Sequence, residues 1–189
     1  MKRWQARRLA RTYADLAAQR RYRDATAFFL DEVYGEKDFS ARDQEMLRIV
    51  PAMSRILPAS AVQTASLAVE LEALTEDLDQ RVARELDAGE VDEPSYAKAC
   101  RAASPRRERD RQVALVRAVG ERLDALVQKP LVGRTLRLMA GPARLAGLSG
   151  LQEFLERGHE AFSGMHGAAE FLATFERREG EVLDRIYGA

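Results

Sequence analysis

The side chains best able to do chemistry are few in this chain. Glu156 and His159 stand three apart, the spacing at which helical bundles hold a di-iron centre through Glu-x-x-His pairs. Such a centre needs a second pair and further inward glutamates. The only other histidine is His166, seven residues on, about two turns and roughly 10 Å of helical rise from His159. Ligand bonds near 2 Å keep both from one ion, so no metal site is expected. His159, His166 or Met165 could each serve as an axial haem ligand, and Phe154, Phe162 and Phe171 are apolar enough to line a porphyrin. His159 is therefore the candidate cofactor-binding residue. Against it, an apolar helical stripe is more often plain core, and no haem-attachment motif is present. No cofactor is implied by any motif.

Nucleophilic catalysis has little support. Cys100 lies among alanines with no histidine nearby in sequence and reads as a small core residue. There is no Gly-x-Ser-x-Gly elbow, no Walker loop and no Gly-x-Gly-x-x-Gly. Glu70 and Glu72 are two apart and face different directions on a helix. The chain leans away from being an enzyme.

One stretch is distinctive: Phe28-Phe29-Leu30-Asp31-Glu32-Val33-Tyr34-Gly35-Glu36-Lys37-Asp38-Phe39-Ser40-Ala41-Arg42-Asp43. Local structure accounts for most of it. Gly35 can close a helix in the left-handed conformation. Ser40 can cap the next helix while Asp43 completes a capping box. Tyr34, Asp38 and Arg42 are left as a candidate binding cluster, or as a hydrogen-bonded brace. The stretch resembles a family of uncharacterised bacterial helical proteins marked by F-F-L-x-[DE]-[VL]-Y-G-x-x-D-[FL]-S-x-R-D. Pro142, Gly147-Leu148, Phe154-Leu155-Glu156 and Ala161-Phe162 fit the same pattern. The resemblance implies a bacterial cytosolic helical protein and brings no activity with it.

These residues need elements to hold them, and the elements are helical. Leucine, alanine, arginine and glutamate dominate, and no segment alternates apolar with polar residues for long. Apolar periodicity predicts a first helix from about Arg3 to Gln19 and a second through Tyr22, Phe28 and Val33, and with no glycine or proline between them the two can form one bent rod. A third runs from Ser40 to Pro58, kinked at Pro51. A fourth runs from about Ser60 to Asp87, and a short one from Tyr96 to Ala103. Ser104 is expected to cap a helix that opens at Pro105 and ends at Gln128. Pro130, Gly141 and Pro142 bracket a short apolar segment. Ser149 and Gln152 are expected to form a capping box. The last helical region breaks near Gly164 and Gly167. The expectation is all-α: a single-domain bundle over 1–189 of seven to nine helices with mixed packing angles, the fourth and last forming its centre.

Charge sets limits on partners. Lysine plus arginine and aspartate plus glutamate number 30 each, so the net charge is zero, unlike a dedicated nucleic-acid binder. No apolar run is long enough for a membrane span, and one cysteine implies no oxidising compartment. A cytoplasmic protein, with no nucleic-acid or membrane partner, is the expectation. The distribution is uneven, however. Residues 1–24 hold eight basic groups against Asp15 and Asp24, while 70–93 hold ten acids against Arg81 and Arg84. The two faces can lie against each other or against a second copy. Arg101 to Arg111 is a further basic stretch, diluted by Glu108 and Asp110, and reads as a solvated helix start. The leading expectation is a non-enzymatic protein–protein interaction module, with a protein partner or a second copy of itself, and a small-ligand or haem-binding bundle is the alternative.

Overall fold

The computed structural model describes residues 1–33, 59–87 and 89–188. Among these the chain is all-α, with no strand. The helices are α1 (Lys2–Thr12), α2 (Ala14–Ala18), α3 (Arg23–Phe28), a π-helical turn (Phe29–Val33), α4 (Ala59–Glu85), α5 (Glu93–Ala103), α6 (Arg106–Val127), α7 (Pro130–Leu145), α8 (Ser149–Gly164) and α9 (Ala169–Tyr187). The predicted helix from Ser40 to Pro58, with its Gly35 closure, Ser40 cap and Pro51 kink, lies outside the described residues.

The N-terminal rod is three pieces rather than one. Tyr13, at φ −112° and ψ 15°, interrupts the helix, and Gln19 adopts an extended conformation before α3. Tertiary bonds hold the breaks. Arg178 on α9 grips Asp15 with two parallel bonds of 2.7 Å and donates to the Thr12 carbonyl at 2.6 Å. Arg21 donates to the Met165 and Gly167 carbonyls at 2.8 and 3.2 Å. These bonds fold Leu9, Tyr13, Leu16, Tyr22 and Phe28 onto α8 and α9, where all five are buried.

The centre differs from the expectation in one respect. Helix α6 is the shared partner on which both α9 and α4 pack most extensively. On α9, Phe171, Leu172, Phe175, Leu183 and Ile186 recur at helical spacing and are all buried. On α4, the leucines Leu67, Leu71 and Leu74 are half-buried, and Leu78 and Val82 are sealed. A second, smaller cluster gathers Val82, Tyr96, Ala99, Cys100 and Ile186 where α4, α5 and α9 meet.

Two predicted caps are replaced by longer-range bonds. Ser104 does not cap α6. Its hydroxyl is buried, bonding the Cys100 carbonyl at 3.4 Å and lying 3.2 Å from the Tyr187 hydroxyl. Ser149 forms no box with Gln152, whose amide instead donates to the Leu136 carbonyl at 2.6 Å and to Glu156 at 2.8 Å. A capping box does form between Asp92 and Ser95 at the start of α5.

Close helix contacts rest on glycines. A Cβ on Gly120 in α6 would stand 2.4 Å from Leu172 Cδ2. Leu172 is only 2% exposed and cannot swing aside. Gly120→Ala is therefore expected to lower stability by about 1–3 kcal/mol from overpacking, outweighing the roughly 0.5–1 kcal/mol that alanine gains in helix propensity. A Cβ on Gly180 in α9 would meet no other element within 4 Å among the described residues, so Gly180→Ala keeps only the gain and is expected to stabilise. Urea midpoints of the two variants moving in the same direction would contradict this packing.

Candidate functional site

Two features stand out from the packed core: an exposed apolar surface on α7 and a polar cavity beneath α1. Helix α7 runs unbroken through Gly141 and Pro142, so the bracketed apolar segment is a helix of 16 residues. It packs on α8 through Gly133 and Ala143, both buried. Its opposite side holds Leu131, Leu138 and Leu145, exposed by 70, 77 and 92%. At 3.6 residues per turn a seven-residue step drifts only about 20°, so the three leucines form one straight stripe. Arg134 lies on that stripe between Leu131 and Leu138, and Arg137 and Arg144 flank it. All three arginines are exposed, and among the described residues none has a carboxylate partner. No acidic residue occurs between Asp124 and Glu153. Large exposed apolar side chains in a contiguous patch mark contact surfaces, because water gains nothing from wetting them.

The cavity, of about 60 Å³, lies where α1, α4, α5, α6 and α9 converge, with Gln5, Arg8, Asp79, Tyr96, Arg109 and Glu179 among its walls. One charge pair in it is complete. Arg8 Nη1 donates to both Glu179 oxygens at 2.7 and 2.8 Å, and the Tyr13 hydroxyl donates to the same carboxylate at 2.8 Å. Burial disfavours the Arg8 charge, but Glu179 more than restores it, and its pKa ends above the ordinary value. The rest is less well satisfied. Arg109 is 5% exposed, and Nη1 donates to Gln112 Oε1 at 3.1 Å while Nε and Nη2 have no hydrogen-bond partner among the described residues. Asp79 is 8% exposed and accepts one bond, from Gln5 Nε2 at 3.1 Å; burial pushes its carboxyl above the usual range, with Gln5 and Arg109 pulling down. Gln5 also donates to the Tyr96 hydroxyl at 3.0 Å.

The expected site residues fall elsewhere. Tyr34, Asp38 and Arg42 lie outside the described residues. His159 is half-buried at the α7–α8 contact, where a Cβ on Gly133 would meet its ring at 2.8 Å. His166 is exposed in the turn after α8, in the left-handed region at φ 51°. Among the described residues no group of three or more His, Cys, Asp or Glu side chains is placed to hold a metal. The aromatic C-terminal region is filled by N-terminal rings: Phe28 packs on Phe154, Phe29 on Phe162 and Phe171, and Tyr13 on Phe175. Cys100 is 2% exposed, and burial pushes its thiol up, so at neutral pH it stays protonated and a poor nucleophile.

Sequence reasoning missed Arg109, reading it as part of a solvated helix start. The signal was present, since Arg109 precedes Val113 by four and Val116 by seven, on the inward stripe of α6. The neighbouring arginines are engaged too: Arg101 donates to the Ile186 carbonyl, Arg106 pairs with Asp184, and Arg111 pairs with Glu70. Part of the N-terminal basic excess meets the acidic α4 within the chain, through Lys2 and Glu76 at 3.4 Å.

The described residues thus define an all-α protein with a cationic, leucine-striped outer helix and a polar pocket in its interior. Among them no helix is long and apolar enough to cross a membrane. The chain belongs to the family described as a domain of unknown function, DUF8198, whose model matches residues 1–189. No curated protein and no solved structure matches it.

Proposed function

We propose that this protein is a non-enzymatic interaction module whose docking surface is the outer face of α7. The observation that carries this reading is the stripe of Leu131, Leu138 and Leu145, exposed in register and accompanied by three arginines that have no carboxylate partner among the described residues. The partner it fits is a helix of another protein with leucines on one face and glutamates or aspartates beside them. Pairing of α7 with its own copy is disfavoured, since the helix has three arginines and no acid to set against them.

A synthetic helical peptide of leucine and glutamate, leucines at i, i+3 or i+4 and i+7, tests the surface by fluorescence anisotropy. The wild-type chain is expected to bind it, more weakly at high salt, because exposed charges are screened within about 10 Å at 0.1 M. Leu138→Asp removes a buried leucine from the complex, about 1.5–3 kcal/mol, so binding should weaken roughly tenfold to a hundredfold. The melting temperature should barely move, since Leu138 is 77% exposed in the free protein. Equal peptide binding by wild type and Leu138→Asp, or binding to anionic phosphatidylglycerol vesicles in place of the peptide, would overturn the reading.

A further inference from the structure

The interior cavity points to a ligand independently of the α7 surface. Around it the Arg8–Glu179 pair is self-neutralising, bonded through both carboxylate oxygens. Two opposite charges are left that line the same space without touching: Arg109 and Asp79. Among the described residues no carboxylate lies within ion-pair distance of Arg109, which donates to the neutral amide of Gln112 and otherwise lies against the Cys100 thiol, a weak acceptor. Asp79 holds one bond among the described residues, from Gln5, although an ionised carboxylate can accept about four. Buried charges in this condition are costly unless something pairs with each.

The unused donors of Arg109 have a shape. Nε and Nη2 lie along one edge of the guanidinium and point their hydrogens the same way, the arrangement that grips both oxygens of a carboxylate. Asp79 is matched by a cationic or N–H donor, and an ammonium supplies three. One ligand carries both groups at short separation. From these charges and the space between them, we propose that the cavity is a binding site for a small α-amino-acid zwitterion, its carboxylate directed to Arg109 and its ammonium to Asp79. Gln5 and the Tyr96 hydroxyl, bonded to each other at 3.0 Å, form the polar wall beside it. Size limits the side chain. A water needs about 10–15 Å³ of such space, so 60 Å³ takes roughly four to six water-sized units, which suits glycine or alanine and rejects an aromatic side chain.

Calorimetric titration and thermal shift of the full chain with glycine, acetate, methylammonium and phenylalanine test the site. Glycine at millimolar concentration, below the range in which excluded cosolutes stabilise proteins generally, is expected to bind saturably and raise the melting temperature. Acetate and methylammonium, each with one charge, should bind about tenfold or more weakly, and phenylalanine not at all. Arg109→Gln and Asp79→Asn, close in size to the originals, should each weaken glycine by roughly tenfold or more. No saturable glycine response, a response matched by acetate or methylammonium, or full binding by both variants would overturn the proposal and leave the cavity to water. The wild-type series decides by itself if either variant fails to fold. Peptide binding at α7 should be the same with and without glycine, so failure of one site does not mimic failure of the other.

Discussion

Replacing Glu179 with alanine is expected to remove about 3–5 kcal/mol of stability, enough to unfold a marginal domain near body temperature. The carboxylate is 11% exposed and holds three bonds, two from Arg8 and one from Tyr13. Its removal strands a guanidinium that is itself 20% exposed, along with a buried hydroxyl. The pair links α1 to α9, so its loss also loosens the cavity walls. The same reasoning separates two kinds of change. Replacing both partners with apolar residues, Arg8→Met with Glu179→Leu, removes the stranded charge and is expected to recover most of the loss. Urea denaturation of the single and double variants measures both. A single-variant loss below about 1 kcal/mol, the level of an exposed pair, would show that water reaches Arg8 freely.

Phe162→Ala is expected to cost about 3–5 kcal/mol, the range for emptying an aromatic site in a well-packed core. Phe162 is 1% exposed, sits on α8 facing the N-terminal helices, and packs its ring 6.3 Å from Phe29. Met165 and Leu172 beside it are equally sealed, so the void has few ways to collapse. The effect should be on stability, with peptide binding at α7 unchanged wherever the variant remains folded. Phe162→Leu, which keeps most of the volume, should lose distinctly less. Equal losses for the two would mean the ring makes no specific contact with its aromatic neighbours.

Both predictions concern residues whose burial was readable to different degrees. Phe162, Phe171 and Phe175 recur at helical spacing on strongly periodic segments, and their inward placement followed from that period alone. Breaks that rest on local chemistry were legible in the same way, such as the one between α8 and α9 near Gly164 and Gly167. Breaks that rest on distant partners were not. The chain stops being helical at Tyr13 with neither glycine nor proline there, and it is Arg178, 165 residues away in sequence, that grips the adjoining carbonyl and carboxylate. Ser104 and Ser149 had the right neighbours for capping, yet the Ser104 hydroxyl turns to Tyr187, and Gln152, the partner expected for Ser149, donates to Leu136 and Glu156 instead.

Helix content and the inward stripes were determined by the sequence alone, because periodicity and propensity act over a few residues and need no knowledge of the partner. Which charges are silent and which are free was decided only by tertiary structure. Arg8 and Arg109 are both inward-turned arginines, but one meets Glu179 while the other lines a cavity with two donors unused. Leu138 and Leu172 are both helical leucines, one 77% exposed and the other 2%. The physical reason is that desolvation depends on what the remaining helices cover, a property of distances between residues far apart along the chain.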